Sequence, residues 1–572
     1  MSFRSKVSLF LVSSLPAMVS ALVFQLFIVW TVSSAISQEK GAISLDRYGG
    51  VKALHSPRGG TGRFRVEKFG GHWMFVTPDG NAFWMLGVQN ITPSGSVTDG
   101  KIVYDNVILS KYGNREAWGE YQVRRLESWG FNTVADYSST KVYPFGRAQS
   151  HPTVLPMSVL EDFAHASLTN NQNFGTCCVK GLMDGLDRTY TGYRSEVPDF
   201  FDPKFNEYVK GRVGGTLADG FWSGTLTSPW VIGVSMDDTD YLYGFGPGPE
   251  IPAPDGAIHS HIGWIVLCTN PERSSSRRYS VTYKDAKVYS KYALRDFLFA
   301  KYQGSINALN AAWGSDYTTF DSAGGYGTGA GLLDENGRHT AWLGSTDGNV
   351  THASTGVTAD LDAFLYQFAA RYFSVVASNL RKYVHGVLIF SPNCLNGHGG
   401  LTRGPILKAA GEYCDVIQAG IRDQRILDLT VHYAGDKPIS TWEGWPANPD
   451  SSLWRYPNPG LGQGNTFRTQ AERGTNYTTR VNFLFKANSS GAYPVVGIKW
   501  WEYIDNWGEK SNWGLVDFLD NAYDGRQSTI APSTDMWGFP RGGDEHNYGD
   551  FLSAVRNTNS NILQTIASGE LK

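Results

Sequence analysis

The sequence predicts a (β/α)8 barrel, an α/β fold, preceded by a short N-terminal β-meander, and three observations carry that expectation. Eight apolar segments of strand length recur along the chain, most of them separated by segments of helical spacing. The strand segments are continuous apolar runs, the pattern of parallel strands buried on both faces. No Gly-x-Gly-x-x-Gly follows the first strand and no P-loop occurs anywhere, which argues against a nucleotide-binding open sheet and leaves no cofactor implied.

The chain opens with Arg4 and Lys6 before a long apolar stretch from about Ser8 to Ile36. Basic residues followed by an apolar run form an export signal, and this run approaches the length of a membrane span. Residues 1–36 are therefore read as a signal peptide or N-terminal membrane anchor, with Ser33-Ser34-Ala35 as small residues for cleavage. Either reading places the remainder outside the cytoplasm: secreted, periplasmic or outward-facing on a membrane. Residues 37–82 form a polar lead-in and the meander, in which short strands are joined by Gly70-Gly71 and Pro78-Asp79-Gly80.

Residues 83–572 are assigned to the barrel. Its first strand is Phe83-Trp-Met-Leu-Gly-Val88, and a helix over Arg115–Trp129 feeds the second, Phe131-Asn-Thr-Val-Ala135. Thr153 begins the third, and a short helix over Phe205–Val213 leads to the fourth at Trp230–Met236. One helix is expected over about Lys284–Leu309, followed by a glycine-rich insertion over 323–349. A strong helix over Leu361–Tyr383 delivers the fifth strand, His385–Phe390. Leu407–Tyr413 precedes the sixth at Asp415–Ala419, and Arg425–Tyr433 precedes the seventh at Lys437–Glu443. Gln470–Ala487 precedes the eighth, Val495–Trp501.

Barrels carry their chemistry at the C-terminal ends of the strands. Here those ends collect polar and acidic groups: Asn90, Asp136, Glu161-Asp162, the run Asp237-Asp238-Thr239-Asp240, Asn393, Glu443, and Glu502 with Asp505. Two carboxyl groups are what glycosidic cleavage requires, one to protonate the leaving oxygen and one to attack the anomeric carbon or activate water. Glu443 leaves a buried strand between Trp442 and Trp445, and is the first candidate; Asp238 and Asp240 are candidates for its partner. Asn90, Asp237, Asn393, Trp445, Trp500, Trp501, Glu502 and Asp505 are candidate substrate contacts. Of Trp500 and Trp501, adjacent on one strand, at most one faces the cleft directly.

Composition is compatible with this. Fifty basic and 53 acidic residues give a net charge of −3, which recommends no nucleic-acid partner. Sixty-five glycines suit many tight loops, and 18 tryptophans supply flat faces for stacking on sugars as well as core volume. The five cysteines, at 177, 178, 268, 394 and 414, form no C-x-x-C pair, so no structural zinc site is expected. Asp334-Glu-Asn-Gly and Asp347-Gly are faint calcium-loop patterns.

Several segments together resemble clan A glycoside hydrolases, most closely the agarase-like enzymes of glycoside hydrolase family fifty. These are Gly71-His-Trp-Met-Phe-Val-Thr-Pro-Asp-Gly-Asn-Ala-Phe-Trp-Met-Leu-Gly-Val88, Phe368–Val376, Ala409–Ile417, Lys437–Glu443, Gln470-x-x-Arg473-x-x-x-Tyr477, Gly497–Asp505 and Ser511–Asp517. The resemblance implies retaining hydrolysis of a β-linked polysaccharide, galactan or agarose-like, with Glu443 as nucleophile. Two positions depart from the pattern. Asp238 and Thr239 stand where the clan has Asn-Glu, and threonine cannot protonate a leaving group at neutral pH. Gln418 stands where many relatives place a tyrosine beside the nucleophile. The first departure keeps a non-catalytic or catalytically degraded sugar-binding barrel in view as the alternative.

Overall fold

The computed structural model describes residues 43–93, 97–98, 101–144, 151–156, 179–182, 198–218, 220–237, 266–268, 272–275, 282–336, 355–393, 395–396, 401–444, 467, 469–505, 513–517, 519–525 and 550–571. The N-terminal apolar segment, Glu161-Asp162, Asp238, Thr239, Asp240, Asp347 and Trp445 lie outside these residues. Among the described residues no helix is long and apolar enough to cross a membrane.

The meander is a four-stranded antiparallel sheet of β1 (Val51–His55), β2 (Arg65–Phe69), β3 (His72–Val76) and β4 (Asn81–Phe83), in the order β1-β4-β3-β2. Gly71 and Gly80 take positive φ in the connecting turns, the region glycine enters at least cost. One residue separates β4 from the barrel, whose strands are β5 (Met85–Val88), β6 (Thr133–Val134), β7 (Thr153–Pro156), β8 (Val231–Ser235), β9 (Leu388–Phe390), β10 (Ile417–Gln418), β11 (Ile439–Gly444) and β12 (Val495–Trp501). They pair in parallel in the order β9-β8-β7-β6-β5-β12-β11-β10. A parallel bridge between Phe390 and Val416 joins the two edge strands and closes the ring.

The helices are α1 (Val103–Tyr112), α2 (Arg115–Ser128), α3 (Phe205–Ala218), α4 (Gly220–Leu226), α5 (Tyr289–Lys301), α6 (Ile306–Trp313), α7 (Thr355–Tyr383), α8 (Gly404–Tyr413), α9 (Gln424–Ala434), α10 (Gln470–Lys486) and α11 (Phe551–Ser568). The single helix expected over 284–309 is two. Gln303 and Gly304 both take positive φ, and the Ser305 side chain accepts from the Ala308 N–H to start α6. α11, which the sequence reading did not anticipate, buries Phe551, Leu552, Val555, Ile562 and Ile566.

The main aromatic and aliphatic core lies at the strands' N-terminal ends. Phe64, Phe75 and Phe83 of the meander region join Met85, Val154, Ile232, Val416 and Val496 in one buried cluster. The Phe75 ring stacks on Phe390 at 5.9 Å, and Tyr48 meets Trp230 at 4.6 Å. The meander therefore closes the barrel from below, and the C-terminal end is left for polar groups. Gly233 is required by this packing: a Cβ there would lie 2.3 Å from the Phe390 ring.

Candidate active site

The barrel interior changes character one layer above that core. Lys499 on β12, inside an otherwise apolar strand, is fully buried. Its ammonium donates to Asp136 Oδ2 at 2.6 Å, to Asn393 Oδ1 at 2.8 Å, and to Gln418 Oε1. Three donors meet three acceptors, which is what a buried ammonium requires. Gln418 Nε2 donates in turn to Ser235 Oγ at 2.7 Å and to the Ser391 carbonyl, and Gln89 Nε2 donates to Asp136 Oδ2 at 3.3 Å. One hydrogen-bonded plate thus ties the first, second, fourth, fifth, sixth and eighth barrel strands together beneath the mouth. The sequence reading named Asp136, Asn393 and Gln418 separately and missed Lys499; a lone lysine in an apolar strand was the available signal.

Above the plate, Asp237 is buried and accepts from the Tyr372 hydroxyl of α7 at 2.6 Å. Burial, then the Asp237 charge, push the Tyr372 pKa well up, so the phenol stays a neutral donor. The Asn393 N–H donates to the Asp237 carbonyl, fixing the ends of β8 and β9 together. Asn90, at positive φ where β5 ends, is half-buried, and its amide donates to the buried Glu502 carboxylate. Trp501 is also half-buried, with its ring 5.8 Å from that of Tyr137, a second residue at positive φ. Such backbone outliers cluster at functional sites. The peptide joining Trp501 to Glu502 is cis.

Glu443 lies in β11 at the same edge of the barrel, its backbone in register with Trp500, as Gly444 is with Trp501. Its side chain, with Asp238, Asp240 and Trp445, lies outside the described residues.

Two expected substrate contacts are corrected. Trp500 is fully buried and packs outward: its ring lies 5.8 Å from Tyr477 and 5.6 Å from Phe551, with the Arg473 guanidinium 5.2 Å away. Side-chain alternation along β12 turns Lys499 inward and Trp500 toward α10 and α11. Asp505 is fully buried and is occupied as a structural acceptor, taking the Gly514 N–H at 2.8 Å and the Tyr523 hydroxyl at 3.3 Å. Arg473 and Tyr477 serve the same region: Arg473 donates to the carbonyls of Trp513 and Gly514, and Tyr477 to Asn559 of α11.

The calcium-loop reading of Asp334 is also corrected. Its carboxylate is turned onto Ser322 Oγ and the N–H groups of Ala323 and Gly331, donors that hold the glycine-rich loop together and occupy a cation's place. Burial keeps the Cys268 and Cys414 thiols protonated, and both are free. The other three cysteines lie outside the described residues.

No family model matches the chain. It is similar to two curated proteins from Vibrio sp. (strain JT0107): β-agarase B, 23% identical over 534 residues, and β-agarase A, 22% identical over 516. The aligned regions take in 81% and 79% of this chain but 47% and 43% of those proteins. The chain thus spans about half the length of the curated relatives it matches. Among solved structures it resembles an exo-β-agarase with a TM-score of 0.62 at 19% identity, covering 94% of this chain and 69% of that one. The agarase AgWH50C superposes with a TM-score of 0.61 at 16% identity, covering 93% and 70%. At these identities the structural likeness shows a shared fold.

Proposed function

We propose that the chain is an exported glycoside hydrolase of β-agarase type, cleaving a β-linked galactan with retention at the anomeric carbon. The observation that carries this reading is the position of Glu443. It is the penultimate residue of the seventh strand of a closed barrel, in a chain that aligns over four-fifths of its length with two β-agarases. Glu443 is the nucleophile, and Asp238 or Asp240 is the acid/base. Asp237, already hydrogen-bonded to Tyr372, positions the end of β8. A carboxyl that donates a proton near neutral pH needs a raised pKa. Retention requires the two carboxyl groups about 5–5.5 Å apart. Trp501 offers a stacking face, and half-buried Asn90 offers a hydrogen bond to a hydroxyl, with buried Glu502 and Asn393 supporting the mouth from below; Trp445 is placed with them on its sequence position. The basic, apolar N-terminus supports export.

The test is release of reducing ends from agarose and related galactans by the full chain and by Glu443→Gln. Turnover by the wild type and its loss by more than about a thousandfold in the variant are expected, with unchanged thermal unfolding. Thr239 favours a second reading, a barrel that binds sugars without cleaving them. That reading predicts saturable oligosaccharide binding and no reducing ends from the wild type.

A further inference from the structure

Three neighbouring strands, β6, β5 and β12, place Tyr137, Asn90 and Trp501 at or just beyond their C-terminal ends, and all three residues are half-buried. Tyr137 takes a φ of 63°. That left-handed region is costly for an aromatic side chain, whereas asparagine or glycine enters it more easily. The surroundings nonetheless hold Tyr137 there from both sides. The Asp136 carbonyl accepts the Asn90 N–H at 3.0 Å, and the Asp136 carboxylate is fixed by Lys499. Ser138 Oγ donates to the Ala135 carbonyl at 2.8 Å and accepts the Ile91 N–H at 3.2 Å. The Ser139 N–H donates to the Ile91 carbonyl at 2.8 Å. A turn built this firmly around a residue in an unfavourable conformation gives up stability to set where its ring stands.

The ring stands against Trp501, with centroids 5.8 Å apart and planes at 86°. At right angles the two rings form two walls and cannot cover each other face to face. Among the described residues, Trp501 has no second ring against it and no cation over its face. The Asn90 amide gives its N–H to Glu502, so Oδ1 is the atom it keeps for a ligand.

We propose that Tyr137 is a sugar-contacting residue, which with Trp501 forms a two-walled aromatic corner for one pyranose ring of the polysaccharide. The kind of polysaccharide rests on the hydrolase reading above. In a galactopyranose the axial hydroxyl lies on one face and leaves adjacent C–H groups together on the other. That apolar face suits the indole, Tyr137 closes the side of the ring, and Asn90 Oδ1 accepts from a hydroxyl.

The experiment is calorimetric titration of the full chain carrying Glu443→Gln, so that the ligand is not consumed, with an agaro-oligosaccharide and a cello-oligosaccharide. Tyr137→Asn removes the ring yet suits the backbone, and Tyr137→Phe keeps the ring. Affinity for the agaro-oligosaccharide is expected to fall about tenfold in the first and to stay within about twofold in the second. The thermal midpoint of Tyr137→Asn should not fall, because the backbone strain is relieved. Tyr137→His also tolerates this backbone and keeps a smaller ring; it should lose about threefold, and it carries the test if the asparagine variant does not fold. Unchanged affinity without the tyrosine ring, above all with a lowered midpoint, overturns the inference, since the ring would then only pack against Trp501. An equal loss in Tyr137→Phe overturns it too, because the sugar would then meet the hydroxyl and not the ring. Binding of the cello-oligosaccharide alone, dependent on Tyr137, upholds the corner and overturns the galactan reading. Binding of neither sugar overturns both.

Discussion

At the residue scale, the Lys499–Asp136 pair sets the terms for the site. Both side chains are wholly buried, so removing one charge strands the other. Lys499→Met is expected to cost about 3–5 kcal/mol in urea unfolding. Adding Asp136→Asn should recover part of that loss, and strictly additive losses would show that the pair is not coupled. Asp199 behaves differently. Burial, helped by the nearby Asp202 charge and opposed by hydrogen bonds from Ser290, pushes its pKa from 3.8 up to about 7. The folded state then holds this proton more tightly than the unfolded chain. Its contribution is most favourable below about pH 4, declines as pH rises toward 7, and is level above that. The swing is at most on the order of 4 kcal/mol. Asp199→Asn, which keeps an oxygen to accept from Ser290, should flatten the fall in stability between pH 4 and 7; an unchanged slope would assign it to other groups.

At the scale of elements, helix contacts depend on missing side chains. Gly411 of α8 runs so close to the end of α9 that an added Cβ would lie 2.0 Å from the Ala434 carbonyl oxygen. Gly411→Ala is expected to lower the urea midpoint by about 1–3 kcal/mol of stability without changing the slope; an unaltered midpoint would mean that the two helices part freely. Strand and helix order was legible because apolar runs and helical spacing are local properties. Thus α7 was found from its periodicity, and the seventh strand from its run into Glu443. What was not legible depended on distant partners. Trp500 and Trp501 look alike in sequence, but α10 and α11 claim the first. Asp505 looks like a free acid at a strand end until Gly514 and Tyr523 fold back onto it. The break between α5 and α6 turns on two residues with positive φ, of which only Gly304 carries a sequence signal.

At the scale of the whole molecule, the layers divide the work. The meander and the strand starts supply apolar packing, the plate around Lys499 spans the middle, and the mouth keeps Asn90, Trp501 and the end of the Glu443 strand. Such a barrel can vary its loops while its floor stays fixed. The central claim is that Glu443 attacks the anomeric carbon, and covalent trapping tests it most directly. The full chain is incubated with an activated 2-deoxy-2-fluoro-galactoside, and its peptides are weighed by mass spectrometry. The account predicts one fluoroglycosyl group on the peptide carrying Glu443 and none in Glu443→Gln. A label on another carboxylate, or steady turnover of galactan with no label at Glu443, would contradict it.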